Sequence, residues 1–169
     1  MLDDAGQALS RIALREYRST DLDAIFQLDE ICFAAEFRFD RVSMRRFAEA
    51  RNAIALVAEH AAVLNPKNTI AGFVIVHVER AASARHGYVV TLDVAPELRR
   101  TGVAGHMMDE AERLAVKAGA SCMELHVFAG NEAAIRFYEE RGYVSLGVRC
   151  GFYGGELDAL VYRKLIGAN

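Results

Sequence analysis

The sequence has no tryptophan, only two prolines and only three cysteines in 169 residues. Two prolines leave no proline-rich segment of the kind that stays extended or disordered. The cysteines, Cys32, Cys122 and Cys150, are odd in number and widely spaced. With no Cys-x-x-Cys pair, neither a zinc site nor a redox dithiol is supported, and three reduced, mostly buried thiols are expected. No apolar run approaches the ~18 residues that a membrane span requires. The N-terminal stretch carries Asp3 and Asp4 and lacks both a basic start and an apolar segment, so it does not read as a signal peptide. A formal charge of −3 provides no basic footprint for nucleic acid. The expectation is a cytoplasmic protein, monomer or homodimer, with no nucleic-acid, membrane or metal partner.

What remains is an ordinary globular composition. Hydrophobic residues make up 53% and charged residues 25%, enough for one sizeable core under a solvated surface. Residues 1–10 read as a loose lead-in and residues 11–166 as a single domain. Ile12–Tyr17 is short and mixed, a first strand. Ser19-Thr20-Asp21 is an N-cap cluster, and Leu22, Ile25, Phe26, Leu28 and Ile31 follow it at helical spacing. Ala34–Asp40 breaks that pattern and carries Phe37 and Phe39, and Ser43 is placed to cap a short helix from Met44 to Arg51. Strands are expected at Ala53–Glu59, Ile70–Val78 and Tyr88–Val94, the last two apolar enough to be buried on both faces. A turn at Asn65-Pro66-Lys67-Asn68 and a connection at Arg80–Gly87 separate them. A helix from Val103 to Ala118 ends at Gly119, a strand follows at Cys122–Phe128, and Asn131 caps a helix that Gly142 ends. Tyr143–Arg149 and Leu157–Leu165 are the last strands, around the glycine-rich Gly151-Phe152-Tyr153-Gly154-Gly155. This order implies an α/β fold with one central sheet of about six or seven strands and about four helices on its faces.

The stretch with the clearest chemistry is Arg99-Arg100-Thr101-Gly102-Val103-Ala104-Gly105. It joins an apolar strand to a helix through small residues. Such a turn leaves N–H groups at the positive end of the helix, a place for phosphate oxygens. A Walker loop would need a lysine, and none lies in 99–105. For the dinucleotide fingerprint Gly102 and Gly105 remain, but Arg100 and Thr101 occupy the positions before them. The pattern Arg/Gln-x-x-Gly-x-Gly/Ala, in contrast, is matched by Arg99–Ala104.

That match resembles the pyrophosphate-binding signature of the GNAT superfamily of acetyl-CoA-dependent N-acetyltransferases. Other segments extend the likeness over residues 11–165. Asn131–Tyr143 is similar to the family's Asn-x-x-Ala-x-x-x-Tyr-x-x-x-Gly-Phe segment. Cys32-Phe33 and Arg149-Cys150-Gly151-Phe152-Tyr153 resemble the branch that acetylates protein N-termini, the ribosomal-protein alanine and Nα-acetyltransferases. The resemblance implies a mixed, mostly antiparallel sheet that splays beside the signature, with acetyl-CoA in the gap. On this mapping Leu92, Asp93 and Val94 contact the acetyl and pantetheine portions. Arg99, Arg100, Thr101, Gly102, Val103, Ala104 and Gly105 hold the pyrophosphate. Asn131 both caps its helix and lies against the cofactor.

Acetyl transfer to an amine requires that the amine lose a proton, that the thioester carbonyl be polarised and that the departing thiolate be protonated. Tyr138 matches the family's tyrosine near the CoA sulfur; the plainer reading is a core tyrosine beside Ala134 and Phe137. The bacterial enzymes of the branch carry Leu-Glu-Val in the strand before the asparagine helix, where this sequence has Leu125-His126-Val127. The eukaryotic and archaeal branch is closer, with Leu-His-Val there and a Tyr-x-x-Thr-Leu run that matches Tyr88-Val89-Val90-Thr91-Leu92. By that resemblance Tyr88 and His126 remove the amine proton through an ordered water, histidine being suited by its near-neutral pKa. A lone histidine in an apolar strand is otherwise a satisfied core residue. Phe33, Phe152 and Tyr153 resemble the walls that grip a peptide acceptor, with simple loop anchors as the rival reading. Phe37-Arg38-Phe39 departs from the bacterial pattern, where a Pro-Trp-Ser-like entry is expected. The expected activity is acetyl transfer to a primary amine, foremost the α-amine of a protein or peptide. A lysine ε-amine or small-molecule amine is the alternative acceptor, and a non-catalytic acyl-CoA-sensing module is the alternative from another class.

Overall fold

The computed structural model describes residues 12–60, 70–82 and 84–167. The lead-in at 1–10 and the turn at 65–68 lie outside the described residues. The strands are β1 (Ile12–Glu16), β2 (Ala53–His60), β3 (Ile70–Ala81), β4 (Ala84–Val94), β5 (Ala120–Phe128), β6 (Val144–Tyr153) and β7 (Leu157–Leu165). The helices are α1 (Leu22–Cys32), α2 (Arg41–Ala48), α3 (Val103–Lys117) and α4 (Glu132–Glu140). The seven strands form one sheet in the order β1-β2-β3-β4-β5-β7-β6. Only the β4–β5 pair is parallel; the other neighbours run antiparallel. This is the mixed, mostly antiparallel sheet that the sequence implies.

Alternate residues of a strand face opposite sides of a sheet, and two cores result. Val57, Phe73 and Ile75 point to one side and pack under Leu22, Ile25 and Leu28 of α1 and Met44 and Ala48 of α2. Leu56, Val74, Val76 and Leu125 point to the other and meet Met107, Met108, Ala111 and Ala115 of α3 and Tyr138 of α4. Gly72 lets β3 approach its neighbours: a Cβ there would lie 2.5 Å from the Asp93 carbonyl and 2.9 Å from Met107 Cε.

Local details differ from expectation where short-range polar groups compete. Ser19-Thr20-Asp21 forms a short 3-10 turn, and the Asp21 carboxylate accepts from the Arg18 N–H and the Arg15 guanidinium rather than capping α1. The second helix starts earlier than expected, because Asp40 accepts from the N–H groups of Val42 and Ser43, and Ser43 donates its hydroxyl to Asp40. It also ends earlier, at Ala48. Arg80–Gly87 is not a loop: β3 and β4 pair as a hairpin out to Ala81 and Ala84, since polar side chains do not interrupt a ladder at an exposed end. The last hairpin is likewise longer, with β6 running to Tyr153. All three cysteines are free, but Cys150 is exposed and Cys32 and Cys122 are half-buried, so the thiols are not mostly buried.

The feature that positions the site is a break in the sheet. In β4, Ile75 pairs with Thr91 and Val76 with Val89, which leaves Val90 as an extra residue. A bulge of this kind bends its strand and increases its twist. The parallel ladder to β5 ends at the pair Tyr88–Glu124, and the following halves of the two strands are unpaired with one another. β4 and β5 therefore diverge just where the aligned Tyr88 and His126 stand.

Candidate active site

Between the diverging strands lies a cavity of about 180 Å³. Its walls come from both faces of the sheet. Asn131, Ala134 and Tyr138 contribute from the α4 side, and Phe33, Phe37 and Phe39 from the segment between α1 and α2. Leu92, His126, Phe128 and Tyr153 lie between them. A larger depression of about 390 Å³, lined by Glu16, Ala53, Leu114 and Lys117 among others, is elsewhere and holds none of the aligned residues.

Tyr88 and His126 come together: the phenol oxygen is 3.1 Å from Nδ1. His126 lines the cavity, whereas Tyr88 stands behind it. His126 Nε2 is buried without a partner among the described residues. Phe152 stacks flat on the imidazole at 4.2 Å with 4° between the planes. Burial lowers the pKa of His126 from its usual value, Arg149 lowers it further, and Glu124 partly opposes them. Burial raises that of Tyr88. The pair is thus biased to a neutral imidazole beside a protonated phenol.

The other sequence-read residues divide. Phe33 and Tyr153 line the cavity, while Phe152 covers the imidazole instead. Tyr153 also donates its hydroxyl to the His126 carbonyl at 3.4 Å, and burial pushes its phenol up to about 12. Tyr138 is 7% exposed, packs on Phe137 and Tyr143, and still borders the cavity, with burial raising its pKa. Asn131 accepts from the Ala134 N–H at 3.1 Å, a cap worth about 1 kcal/mol, and also lines the cavity. Leu92 lines it too. Asp93 is 1% exposed, and its carboxyl accepts from the Thr91 hydroxyl on the side of the α1 core, so only its backbone is left to face the gap.

In the turn before α3, Arg100 and Gly102 adopt φ of +64° and +93°, a conformation of the kind that gathers N–H groups into anion-binding concavities. No side chain caps the first turn of α3. Thr101 donates its hydroxyl to the Leu98 carbonyl at 2.6 Å, and Arg99 Nε donates to the Val94 carbonyl at 3.3 Å, tying the turn to the end of β4. Gly105 leaves room for Arg141, whose Nη1 would lie 3.1 Å from a Cβ at that position. Arg141 is also paired with Asp109 of α3.

The resemblance places the loop Phe33–Phe37 at the acceptor, but sequence reasoning did not assign Phe39 and Phe128 to the site. Phe37 packs on Phe128 at 5.0 Å and edge-on to Tyr153 at 4.9 Å. Phe128 was within reach of a sequence argument, since it follows His126 by two on the same strand and so shares its face. No group of three or more His, Cys, Asp or Glu suited to a metal ion occurs among the described residues.

A parallel pair splayed at a bulge, with an uncapped glycine turn at the start of the next helix, defines an acetyltransferase-type fold. The chain belongs to the Acetyltransferase (GNAT) family, whose model matches residues 22–143. It is similar to the N-terminal acetyltransferase B complex catalytic subunit NAA20 of Arabidopsis thaliana, with 34% identity over 102 residues, 60% of this chain and 59% of that protein. The chain thus matches about three fifths of that relative's length. Among solved structures it resembles Arabidopsis thaliana NAA60 in complex with a bisubstrate analogue, with a TM-score of 0.83, 20% identity, and coverage of 92% and 99% of the two chains. The Escherichia coli ribosomal-protein-S18-alanine N-acetyltransferase has a TM-score of 0.77 at 20% identity, covering 94% and 96%.

Proposed function

We propose that residues 11–166 act as one domain that transfers the acetyl group of acetyl-CoA to a primary amine, foremost the N-terminal α-amine of a protein or peptide. The observation that carries this reading is the cavity lined from both faces of the sheet, with His126 in the wall between them. Two substrates that approach from opposite faces of the sheet would meet at such a cavity. The relative and the two neighbours described above are N-terminal or alanine N-acetyltransferases by name, or bind a bisubstrate analogue.

On the α3–α4 side, the N–H groups of Val103, Ala104 and Gly105 and the adjoining turn would hold the pyrophosphate. The free edge of β4 at Leu92–Val94 would pair with the amides of the pantetheine arm. When bound, acetyl-CoA supplies the activated acyl group. On the other side Phe33, Phe37 and Tyr153 offer apolar walls to the acceptor's first residues. His126 Nε2, buried without a partner among the described residues, accepts the amine proton, directly or through one water. Its Nδ1–H donates to Tyr88, so that Tyr88 orients the ring and steadies the imidazolium. The amine nitrogen bonds to the acyl carbon, the carbon–sulfur bond breaks, and Tyr138 gives its proton to the leaving sulfur. The products are an amide and a free thiol. Three free thiols and the need for acetyl-CoA fit a cytoplasmic setting.

The test is thiol release with acetyl-CoA and matched short peptides, one with a free N-terminus and one N-blocked with an internal lysine. Release that depends on the free α-amine and varies with the first two residues is expected. Release from the blocked lysine peptide or from polyamines alone would move the acceptor class. Tight CoA binding with no release from any amine would make the protein a sensor.

A further inference from the structure

One residue outside the reacting groups closes the acceptor side of the cavity. Phe33, Phe37 and Phe39 all line it, and all belong to the short segment between α1 and α2. Hydrogen bonds within that segment are Phe37 N–H to the Ala34 carbonyl at 3.0 Å and Arg38 Nε to the Phe33 carbonyl at 2.6 Å. Its two ends are held by Asp29. The Asp29 backbone carbonyl accepts from the Phe33 N–H at 3.0 Å, and its carboxylate Oδ2 accepts from the Phe39 N–H at 3.1 Å. Asp29 is 0% exposed.

A buried carboxyl is costly in an apolar helix–sheet contact, where an apolar side chain would serve packing as well. Here it is not alone. Asp93 on β4 is 1% exposed, and one oxygen of each group, Asp29 Oδ1 and Asp93 Oδ2, is buried without a partner. Cys32, one turn after Asp29, donates its thiol to the Val94 carbonyl at 3.4 Å, so this face of α1 rests on the Asp93–Val94 end of β4. The same helix face thus touches the strand that edges the cofactor side and grips the loop that walls the acceptor side.

We propose that Asp29 is a positioning residue for acceptor recognition, its carbonyl and carboxyl together closing segment 33–39 so that the three phenylalanines are set against the acceptor. This rests on the N-acetyltransferase reading of the cavity. Asp29→Ala removes the Phe39 hydrogen bond and should raise KM for the acceptor peptide about tenfold, in line with one buried hydrogen bond. It should leave kcat and KM for acetyl-CoA near their original values. Asp29→Asn keeps an acceptor oxygen and should restore most of the peptide KM. Amide hydrogen exchange gives a reading that needs no activity: residues 33–39 should exchange about tenfold faster in Asp29→Ala, with β2–β4 unchanged. If Asp29→Ala does not fold, Asp29→Leu, which keeps the branched shape at a larger volume and removes the acceptor, carries the same measurements. Unchanged exchange and unchanged peptide KM would overturn the proposal, as would an equal rise across β2–β4 or a loss confined to kcat. If the unaltered protein releases no thiol with any peptide, the functional reading fails, while the exchange result still decides whether Asp29 holds the loop.

Discussion

In the half of the sheet that begins at β1, strands β2–β4 meet helices on both faces, whereas in the other half β5 meets helices on one face and β6 is exposed from Val144 to Cys150. In β3, Ala71, Phe73, Val74, Ile75 and Val76 are each 1% exposed or less, whereas Val144, Leu146 and Val148 on β6 are 51–61% exposed. The closed half carries the phosphate turn and the buried carboxyls of Asp29 and Asp93. The open half carries His126 and the aromatic hairpin end. The cavity sits on the seam between them, where the β4–β5 ladder stops.

The largest effect is expected from filling the closed half. Gly72→Val places a Cβ 2.5 Å from the Asp93 carbonyl and should cost about 3 kcal/mol, seen as a lower urea midpoint with an unchanged m-value. At the seam the effect should appear in rate instead. His126→Ala and Tyr88→Phe should each slow turnover about tenfold or more, while CoA binding, followed by calorimetry, survives.

The buried carboxyls sharpen the contrast through pH. Burial pushes Asp29 up to about 6 and Asp93 well above the ordinary carboxyl range. Asp29 is faced by Asp93 from β4 and Arg38 from the loop, with Glu30 on its own helix, and Asp93 by Thr91, Asp29 and Arg99. Because the folded state keeps protons that the unfolded chain releases near pH 4, the Asp29 contribution is fully present below about pH 4 and is lost as pH rises through about 6, and that of Asp93 is lost as pH rises through its own raised pKa. Thermal melts of Asp29→Asn should therefore match or exceed the original protein at pH 8, and that advantage should vanish at pH 4. The smallest effect belongs to the open half: Leu146→Ser should shift stability by no more than about 0.5 kcal/mol.

Much of this was legible because it rests on local pattern. The apolar alternation of β3 and β4, the glycines ending α3 and α4, and the Asn131 cap all act within a few residues, and Arg99–Gly105 carries its own geometry. The Tyr88–His126 contact was legible only through resemblance, since the two residues lie 38 positions apart and meet because two strands run parallel. What remained hidden depends on tertiary context. The Val90 bulge shows only against the register of β3. Asp29 reads in sequence as one more polar helix residue, and its role appears once α1 lies on β4 and the chain returns at Phe39. The start of α2 was misplaced because Asp40, not Ser43, won the competition for its first N–H groups.

On the proposed function Tyr88 and His126 accept the proton as one unit at the seam. This is tested most directly by single-turnover acetyl transfer to a free-N-terminus peptide in His126→Ala, Tyr88→Phe and the double variant. Groups that act as a unit are strongly non-additive, so the double variant should be no more than about threefold slower than His126→Ala alone. Multiplied losses in the double variant, or a near-normal rate in His126→Ala, would contradict it.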